Sequence, residues 1–212
     1  MKIEALEQQV EKELIVQKAL VKAMDYGIYR TIVDEHARLG TSTGPNQTEA
    51  LSNYTMLNQR RLKRLDKTTK LLPEDITKLQ DFKGDVTWLV LTESWCGDAA
   101  QTMPVMQKMA ELSDGITVKV VLRDENLELI DEFLYNGGRS IPKLIAIDNT
   151  TNKVLGDWGP RPSAATKMVN DYKEAHGKLT PEFKQDLQVW YNKDKGQNTV
   201  QDLMELLTSS EN

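Results

Sequence analysis

A short apolar run that leads at once into a helical pattern is the feature that most constrains this chain. Residues 86–91 are apolar and rich in β-forming side chains, which is typical of a buried strand. Apolar side chains then recur at helical spacing from residue 97 to residue 112, including Met103, Met106 and Met109. The only cysteine of the chain, Cys96, falls at the junction. The sequence therefore predicts a thiol at the N-terminus of a helix that follows a buried strand.

This position allows two interpretations of Cys96. A thiol at a helix N-terminus faces unpaired backbone N–H groups and the positive end of the helix dipole. Such surroundings favour the thiolate, which is the nucleophilic form of cysteine. The alternative is a buried structural cysteine that behaves as a small apolar side chain. Position alone leaves both open.

Three further features, spread over residues 79–172, resemble the thioredoxin family. The family's active-site signature, Trp-Cys-Gly between a strand and a helix, is present as Trp95, Cys96 and Gly97. Pro104 follows the cysteine by eight residues, where thioredoxins carry a proline in the active-site helix. Residues 138–145 resemble the segment that holds the family's cis-proline, which would be Pro142. The resemblance implies that Cys96 is the catalytic residue.

The resemblance implies an α/β protein with the thioredoxin fold, a central mixed sheet flanked by helices, with an added N-terminal helical segment and C-terminal helices. We predict three parts: residues 1–78 as a helical extension packed on the core, 79–176 as the thioredoxin-like domain, and 177–212 as a C-terminal helical extension.

Helical periodicity underlies both extensions. The apolar spacing in residues 3–24 predicts a first amphipathic helix, and Gly, Ser, Thr and Pro in residues 40–45 predict a loop. Asn46, with Glu49 three residues later, predicts the cap of a second helix. The apolar face of that helix is marked by Leu51, Tyr54, Leu57, Leu62 and Leu65.

The chain also departs from the family pattern. Ala99 occupies the position of the second, resolving cysteine, so a dithiol–disulfide cycle within one chain is excluded. Val90 and Val120 occupy the positions of the family's buried acid and its partner lysine. Assistance from a general base would need another group, for which Glu93 and Asp98 are the candidates.

Asp98 has an ambiguous effect on the thiol. A helix dipole stabilises a terminal anion by ~0.3–1 kcal/mol, whereas a carboxylate about 6 Å away opposes a thiolate by roughly 0.7–3 kcal/mol. Alternatively, Asp98 points outward and is screened, or it serves only as an acid in the first helical turn.

The resemblance also identifies candidates for substrate binding. The backbone of Ile141, beside Pro142, is expected to lie opposite Cys96 and to pair with an extended substrate segment. Gly159 matches a glycine that flanks the family's active site, and Trp158 beside it is a further candidate.

Two arginines complete the candidate site. Arg161 either binds a carboxylate, such as that of glutathione, or anchors its own loop, and we favour the anchor. Arg123, at the end of the strand predicted over residues 116–122, either stabilises the thiolate or pairs with Asp124 or Glu125.

A basic run, residues 60–70, lies within the second predicted helix and contains six arginines and lysines. We predict that it forms a solvated helix face. The alternative is a surface for an anion or an acidic partner, which would lower the pKa of Cys96 if it lay beside the thiol.

Composition excludes several classes of function. The net charge of −5 argues against nucleic acid as a partner, and no stretch approaches the ~18 apolar residues of a membrane span. A single cysteine fits a reducing compartment, so we predict a cytoplasmic protein. With two histidines and one cysteine, we expect no metal site.

Two functions remain from the sequence. The first is a monothiol thiol–disulfide oxidoreductase that has no bound cofactor, uses glutathione or another small thiol as co-substrate, and acts on protein or small-molecule thiols and disulfides. The second is a redox-inactive thioredoxin-fold protein-binding module. An iron–sulfur cluster shared between two chains is a distant third, and the oligomeric state stays open.

Overall fold

The computed structural model describes residues 2–209, with side chains from residue 7 to residue 208. Residue 1 and residues 210–212, which belong to the predicted terminal extensions, lie outside the described residues. The strands are β1 Met24–Asp25, β2 Val86–Thr92, β3 Ile116–Leu122, β4 Lys143–Asp148 and β5 Val154–Trp158. The helices are α1 Lys2–Lys22, α2 Tyr26–Leu39, α3 Glu49–Thr68, α4 Pro73–Asp81, α5 Ala99–Ala110, α6 Leu127–Asp131, α7 Ser163–His176, α8 Pro181–Asp194 and α9 Gln197–Ser209.

The strands form one mixed sheet in the order β1-β3-β2-β4-β5. β2 is parallel to β3, with Val86 opposite Ile116, and antiparallel to β4, with Val90 opposite Leu144. All seven residues of β2 are buried, as expected of a central strand with helices on both faces. The structure confirms the predicted α/β architecture, a mixed sheet flanked by helices.

Helix α5 leaves the sheet directly after β2 and is buried along most of its length. Met103, Met106 and Met109 are fully buried, as their helical spacing predicts. α5 packs against α3 and α9 as well as β3, so the helix that follows Cys96 is held between the sheet and these two helices. The position of Cys96 therefore depends on α3 and α9 as well as on the sheet.

The N-terminal helices differ from the prediction in two details. The first helix ends at Lys22, and Met24 lies in the edge strand β1, which pairs with β3. Two residues are too few to produce a strand periodicity, so the sequence gives no sign of β1. The cap of α3 is Thr48, whose side chain accepts a hydrogen bond from the N–H of Leu51, and the predicted cap Asn46 was wrong by two residues.

The C-terminal helices divide between two apolar clusters. Val200, Leu203 and Leu207 of α9 are buried in the main core. α7 and α8 share a separate cluster, to which α8 contributes Phe183 and Leu187. The boundaries 79–176 and 177–212 stay a prediction. Within residues 2–209, no helix combines the length and the apolar character needed to cross a bilayer.

Candidate functional site

The turn between β2 and α5 places Cys96 at the start of the helix. The N–H of Cys96 donates to the carbonyl of Glu93 at 3.0 Å, which closes the turn. The N–H of Ala99 donates to the Cys96 Sγ at 3.4 Å, and the thiol donates to the carbonyl of Ile141 at 3.3 Å. The thiol therefore lies between the first turn of α5 and the segment before β4, and Cys96 is 6% exposed.

The thiol is held in its protonated form. Burial, followed by the charge of Asp98, raises the pKa of the Cys96 thiol to about 12. The N–H groups of Ala99 and Asp98 and the charge of Arg161 act in the opposite direction and are smaller. A thiol that donates to a carbonyl is the neutral species, which agrees with this shift. Burial thus outweighs the helix terminus, which favours the second of the two interpretations, a buried cysteine whose thiol stays protonated.

Asp98 points inward, and its side chain is 13% exposed. One carboxylate oxygen lies 2.7 Å from the Arg161 guanidinium, and the other accepts a hydrogen bond from the Tyr191 hydroxyl at 3.0 Å. Burial raises the pKa of Asp98. Its charge acts on the thiol instead of being screened by solvent, and Arg161 is the partner that holds it in place.

The Glu93 carboxylate is directed to other groups. One oxygen accepts from the Thr43 hydroxyl, and the other accepts from the N–H of Asp124 at 2.9 Å. The Thr43 hydroxyl also accepts from the N–H of Ser94 at 2.8 Å, so the loop before α3 is tied to the end of β2. Burial raises the pKa of Glu93. Both oxygens are occupied by groups other than Cys96, so the structure does not place Glu93 as its base.

The opposite side of the site is the segment before β4. The Ile141–Pro142 peptide bond is cis, and Ile141 presents its carbonyl to the thiol. Gly159 packs against this segment with φ +117°, and a Cβ there would lie 2.2 Å from the carbonyl oxygen of Pro142. Gly159 is therefore required for the backbone of Pro142 to lie where it does.

Trp158 and Gly159 do not reach the thiol. The indole N–H of Trp158 donates to Asp202 on α9 at 3.0 Å. Both residues line a cavity beside β5 that does not include Cys96. Trp158 is turned toward α9, and Gly159 contacts the Pro142 segment instead of the thiol, so their role in binding substrate stays a prediction.

Cys96 lies in a cleft of about 480 Å³ between α3 and α8. Trp95, Cys96 and Gly97 line it together with Arg61 of α3 and Tyr191 of α8. α8 is held there by polar contacts, since Tyr191 bonds to Asp98 and the Gln101 side-chain amide donates to Gln188 at 3.0 Å. α3 and α8 thus form the walls of the site.

Basic side chains outnumber acidic ones in the cleft. Of the described residues that line it, five are basic and one, Asp98, is acidic. Arg123 pairs with Asp124 at 2.7 Å, and its guanidinium carbon lies 4.9 Å from the centre of the Trp95 ring. Pairing with a neighbouring acid was one of the two roles predicted for Arg123, and the residue also borders the cleft.

Sequence reasoning missed Arg61 and Tyr191 as site residues. In the basic run only the general alternative of an anion-binding surface pointed to Arg61, and nothing in the sequence places Tyr191 beside Asp98. Within the described part of the chain, no three His, Cys, Asp or Glu side chains are grouped so that they could hold a metal ion.

Comparison with known proteins identifies the family. The sequence profile of a family described as thioredoxin matches residues 44–173, more than half of the chain. No curated protein sequence matches significantly. A crystal structure of a protein of unknown function from Pseudomonas aeruginosa is similar, with a TM-score of 0.55, 18% identity, and coverage of 73% of this chain and 84% of that one.

A second crystal structure, of an HIV epitope-scaffold of the 4E10 series, is similar with a TM-score of 0.57 and 15% identity, over 87% of this chain and 98% of the scaffold. At these identities both structures show the fold alone. The profile match reaches α3, which the sequence prediction had left in the extension, and it spans the cysteine, Pro142 and Gly159. The chain therefore belongs to the thioredoxin family.

Proposed function

We propose that this chain is a thioredoxin-fold binding protein whose cleft takes a ligand beside a protonated, resting Cys96 thiol. The carrying observation is the combination of an open cleft of about 480 Å³ with a thiol whose pKa is raised to about 12. At neutral pH such a thiol has almost no thiolate, which is the form that attacks a disulfide. A second cysteine to complete a redox cycle is absent from the sequence.

A turnover assay tests this proposal. We expect wild-type protein and Cys96→Ser to give the same low rate of glutathione-dependent reduction of hydroxyethyl disulfide, since a thiol with a pKa near 12 contributes little thiolate at pH 7. The measurement is the coupled oxidation of NADPH by glutathione reductase. A wild-type rate well above that of Cys96→Ser would contradict the proposal.

The second candidate function is a monothiol thiol–disulfide oxidoreductase. It is favoured by the position of the Cys96 Sγ, which lines the cleft between the Ala99 N–H and the Ile141 carbonyl. In this scheme the thiol loses its proton to a base from solvent, because both oxygens of Asp98 are bound by Arg161 and Tyr191, and the thiolate attacks a disulfide of the substrate. One S–S bond breaks, a mixed disulfide with Cys96 forms, and a thiolate leaves.

A small thiol such as glutathione then attacks the substrate sulfur of the mixed disulfide, which releases Cys96 and leaves the small thiol joined to the substrate. A second small thiol exchanges with that bond, so that two electrons pass from two small thiols, which leave as their disulfide, to the substrate, which leaves as thiols. This candidate requires that bound substrate or a conformational opening lower the pKa of Cys96 from its value in the free protein. The turnover assay separates the two candidates directly.

A further inference from the structure

We propose that Arg61 binds the oxyanion head group, carboxylate or phosphate, of a small amphipathic organic anion in the cleft beside Cys96. The inference rests on the proposed function, because it takes the cleft to be a ligand-binding site. It names the chemical class of the ligand, which neither the fold nor the family assigns.

The first observation is that Arg61 has no counterion at ion-pair distance among the described side chains, although the charge of Asp98 acts on it from farther away. Its side chain is half-buried on α3, and its Nη1 donates to the Asn58 amide oxygen at 3.3 Å. The same Nη1 lies 3.6 Å from the position of a Cβ built on Gly97, so the guanidinium packs over the turn that carries the thiol. Within the described side chains, Arg61 forms no ion pair. Burial and the charge of Arg64 lower the pKa of Arg61.

The second observation is that neighbouring acids are already engaged. Asp98 is the acidic side chain that lines the cleft, and its oxygens are bound by Arg161 and Tyr191. A charge that is partly removed from water without a counterion is costly. An oxyanion that entered the cleft would remove this cost at Arg61, and a guanidinium binds carboxylate or phosphate through two parallel hydrogen bonds.

The third observation is the distribution of charge over the molecule. The whole chain has a net charge of −5, whereas the described residues that line this cleft include five basic side chains and one acidic side chain. Three of the five, Arg123, Arg139 and Arg161, are paired with carboxylates. The other two are Arg61 and Lys184 on α8, and neither forms an ion pair among the described side chains. These two charges attract anions to the cleft.

The walls of the cleft set the rest of the ligand. Leu51 on α3, Leu187 on α8 and Trp95 on the cysteine turn provide apolar surface around Arg61. A volume of about 480 Å³ lies in the range of pockets for small molecules. An apolar body with one anionic head therefore matches both the walls and the charge.

Two dyes that differ by a single sulfonate test the inference. Anilinonaphthalene sulfonate carries the anion, and N-phenyl-naphthylamine is the same body without it. We expect one equivalent of the sulfonate dye to bind the folded protein, measured by its fluorescence, about tenfold more tightly than the neutral dye, as one charge-assisted contact provides. Added salt should reduce the difference in affinity between the two dyes.

Variants on α3 then assign the contact. Arg61→Gln should remove the preference for the sulfonate, and Arg61→Lys should retain part of it. Lys63→Gln is the matched control, because it makes the same charge change on the same helix at an exposed position outside the cleft. Thermal unfolding monitored by circular dichroism checks that each variant is folded. Equal affinities for the two dyes, or equal effects of Arg61→Gln and Lys63→Gln, would overturn the inference.

Competition identifies the head group. Displacement of the sulfonate dye by phenylbutyrate assigns a carboxylate, displacement by phenyl phosphate assigns a phosphate, and displacement by neither overturns the inference. The turnover assay separates the inference from the proposed function. A wild-type rate well above that of Cys96→Ser, together with sulfonate binding that depends on Arg61, would leave the anion site standing while the proposed function fails. Equal low rates in the two proteins, together with equal affinities for the two dyes, would do the reverse.

Discussion

Alkylation of Cys96 by iodoacetamide at pH 8 is expected to be roughly 10³-fold slower in the folded protein than in the unfolded chain. Below both pKa values the rate follows the thiolate fraction, which falls tenfold for each unit by which the pKa rises. The pKa is about 12 in the folded protein, against about 8.5 for an unperturbed cysteine. Mass spectrometry of quenched samples, with and without guanidinium, measures both rates.

The pH profile distinguishes a raised pKa from simple inaccessibility. In the unfolded chain the rate should level off above about pH 9, whereas in the folded protein it should keep rising about tenfold per unit. Asp98→Asn removes a charge that raises the pKa of Cys96, so it should accelerate alkylation by roughly tenfold. Asp171→Asn is the control, since it also removes the partner of a cation, Lys167, but at an exposed position outside the cleft. A folded-state plateau below pH 8.5 would contradict the protonated thiol.

The pH dependence of the free energy of unfolding should reveal the same protonated Cys96 thiol without an alkylating reagent. Between about pH 8.5 and pH 10 the unfolded chain loses the thiol proton while the folded protein, with its raised pKa, keeps it. Because the native state then binds more protons, the free energy of unfolding should fall by up to about 1.4 kcal/mol per pH unit. Urea denaturation of wild-type and Cys96→Ser should show this extra loss only in the wild type, and parallel curves would contradict it.

The central fold could be predicted because its signals are local. The buried strand and the methionine spacing that follows it define β2 and α5 within a few residues, and the position of Cys96 between them follows. The segment around Pro142 could be recognised because it resembles a short family pattern. In each case neighbouring residues carry the information, and the structure adds little except the helix bounds.

The residues of α3 that line the site could not be predicted, because some of the residues that α3 buries are polar and its apolar pattern therefore indicated the wrong orientation. Periodicity placed Tyr54 and Leu57 on the inner face, but they are 44% and 41% exposed. Thr55 and Asn58 are buried instead, and they bond to the hydroxyl and the carbonyl of Ser94 at 2.8 and 3.0 Å. The pattern of apolar residues does not reveal polar side chains that are buried because they bond to another segment. The orientation of α3 that results directs Arg61 to the cleft.

Two candidate site residues point away from the thiol for a related reason. Glu93 and Trp158 are close in sequence to functional positions, but each has a polar group bound by a segment remote in the chain, Thr43 for Glu93 and Asp202 for Trp158. Pairing over 44 residues or more is a property of the tertiary structure. Proximity in sequence therefore identified the turn that carries the thiol, but it did not reveal where the side chains of Glu93 and Trp158 point.

Gly159→Ala is expected to destabilise the protein by about 3–5 kcal/mol, which is the range of severe core substitutions. Alanine at φ +117° is strained, and its Cβ would lie 2.2 Å from the Pro142 carbonyl oxygen, a contact that only backbone movement can relieve. The movement must displace the segment before β4 and with it the Ile141 carbonyl that accepts from the thiol. Urea denaturation followed by circular dichroism measures the loss.

Gly137→Ala separates the two contributions to this effect. Gly137 also has a positive φ, +73°, but a Cβ there meets no atom within 4 Å, so the cost is the backbone strain alone, about 1 kcal/mol. The difference between the losses of stability of the two variants measures the cost of the contact with Pro142. Because that contact supports the carbonyl opposite Cys96, Gly159→Ala should also accelerate alkylation of the remaining folded protein, whereas Gly137→Ala should not. Similar losses of stability in both variants would show that the loop yields, and that Gly159 does not position the Pro142 segment.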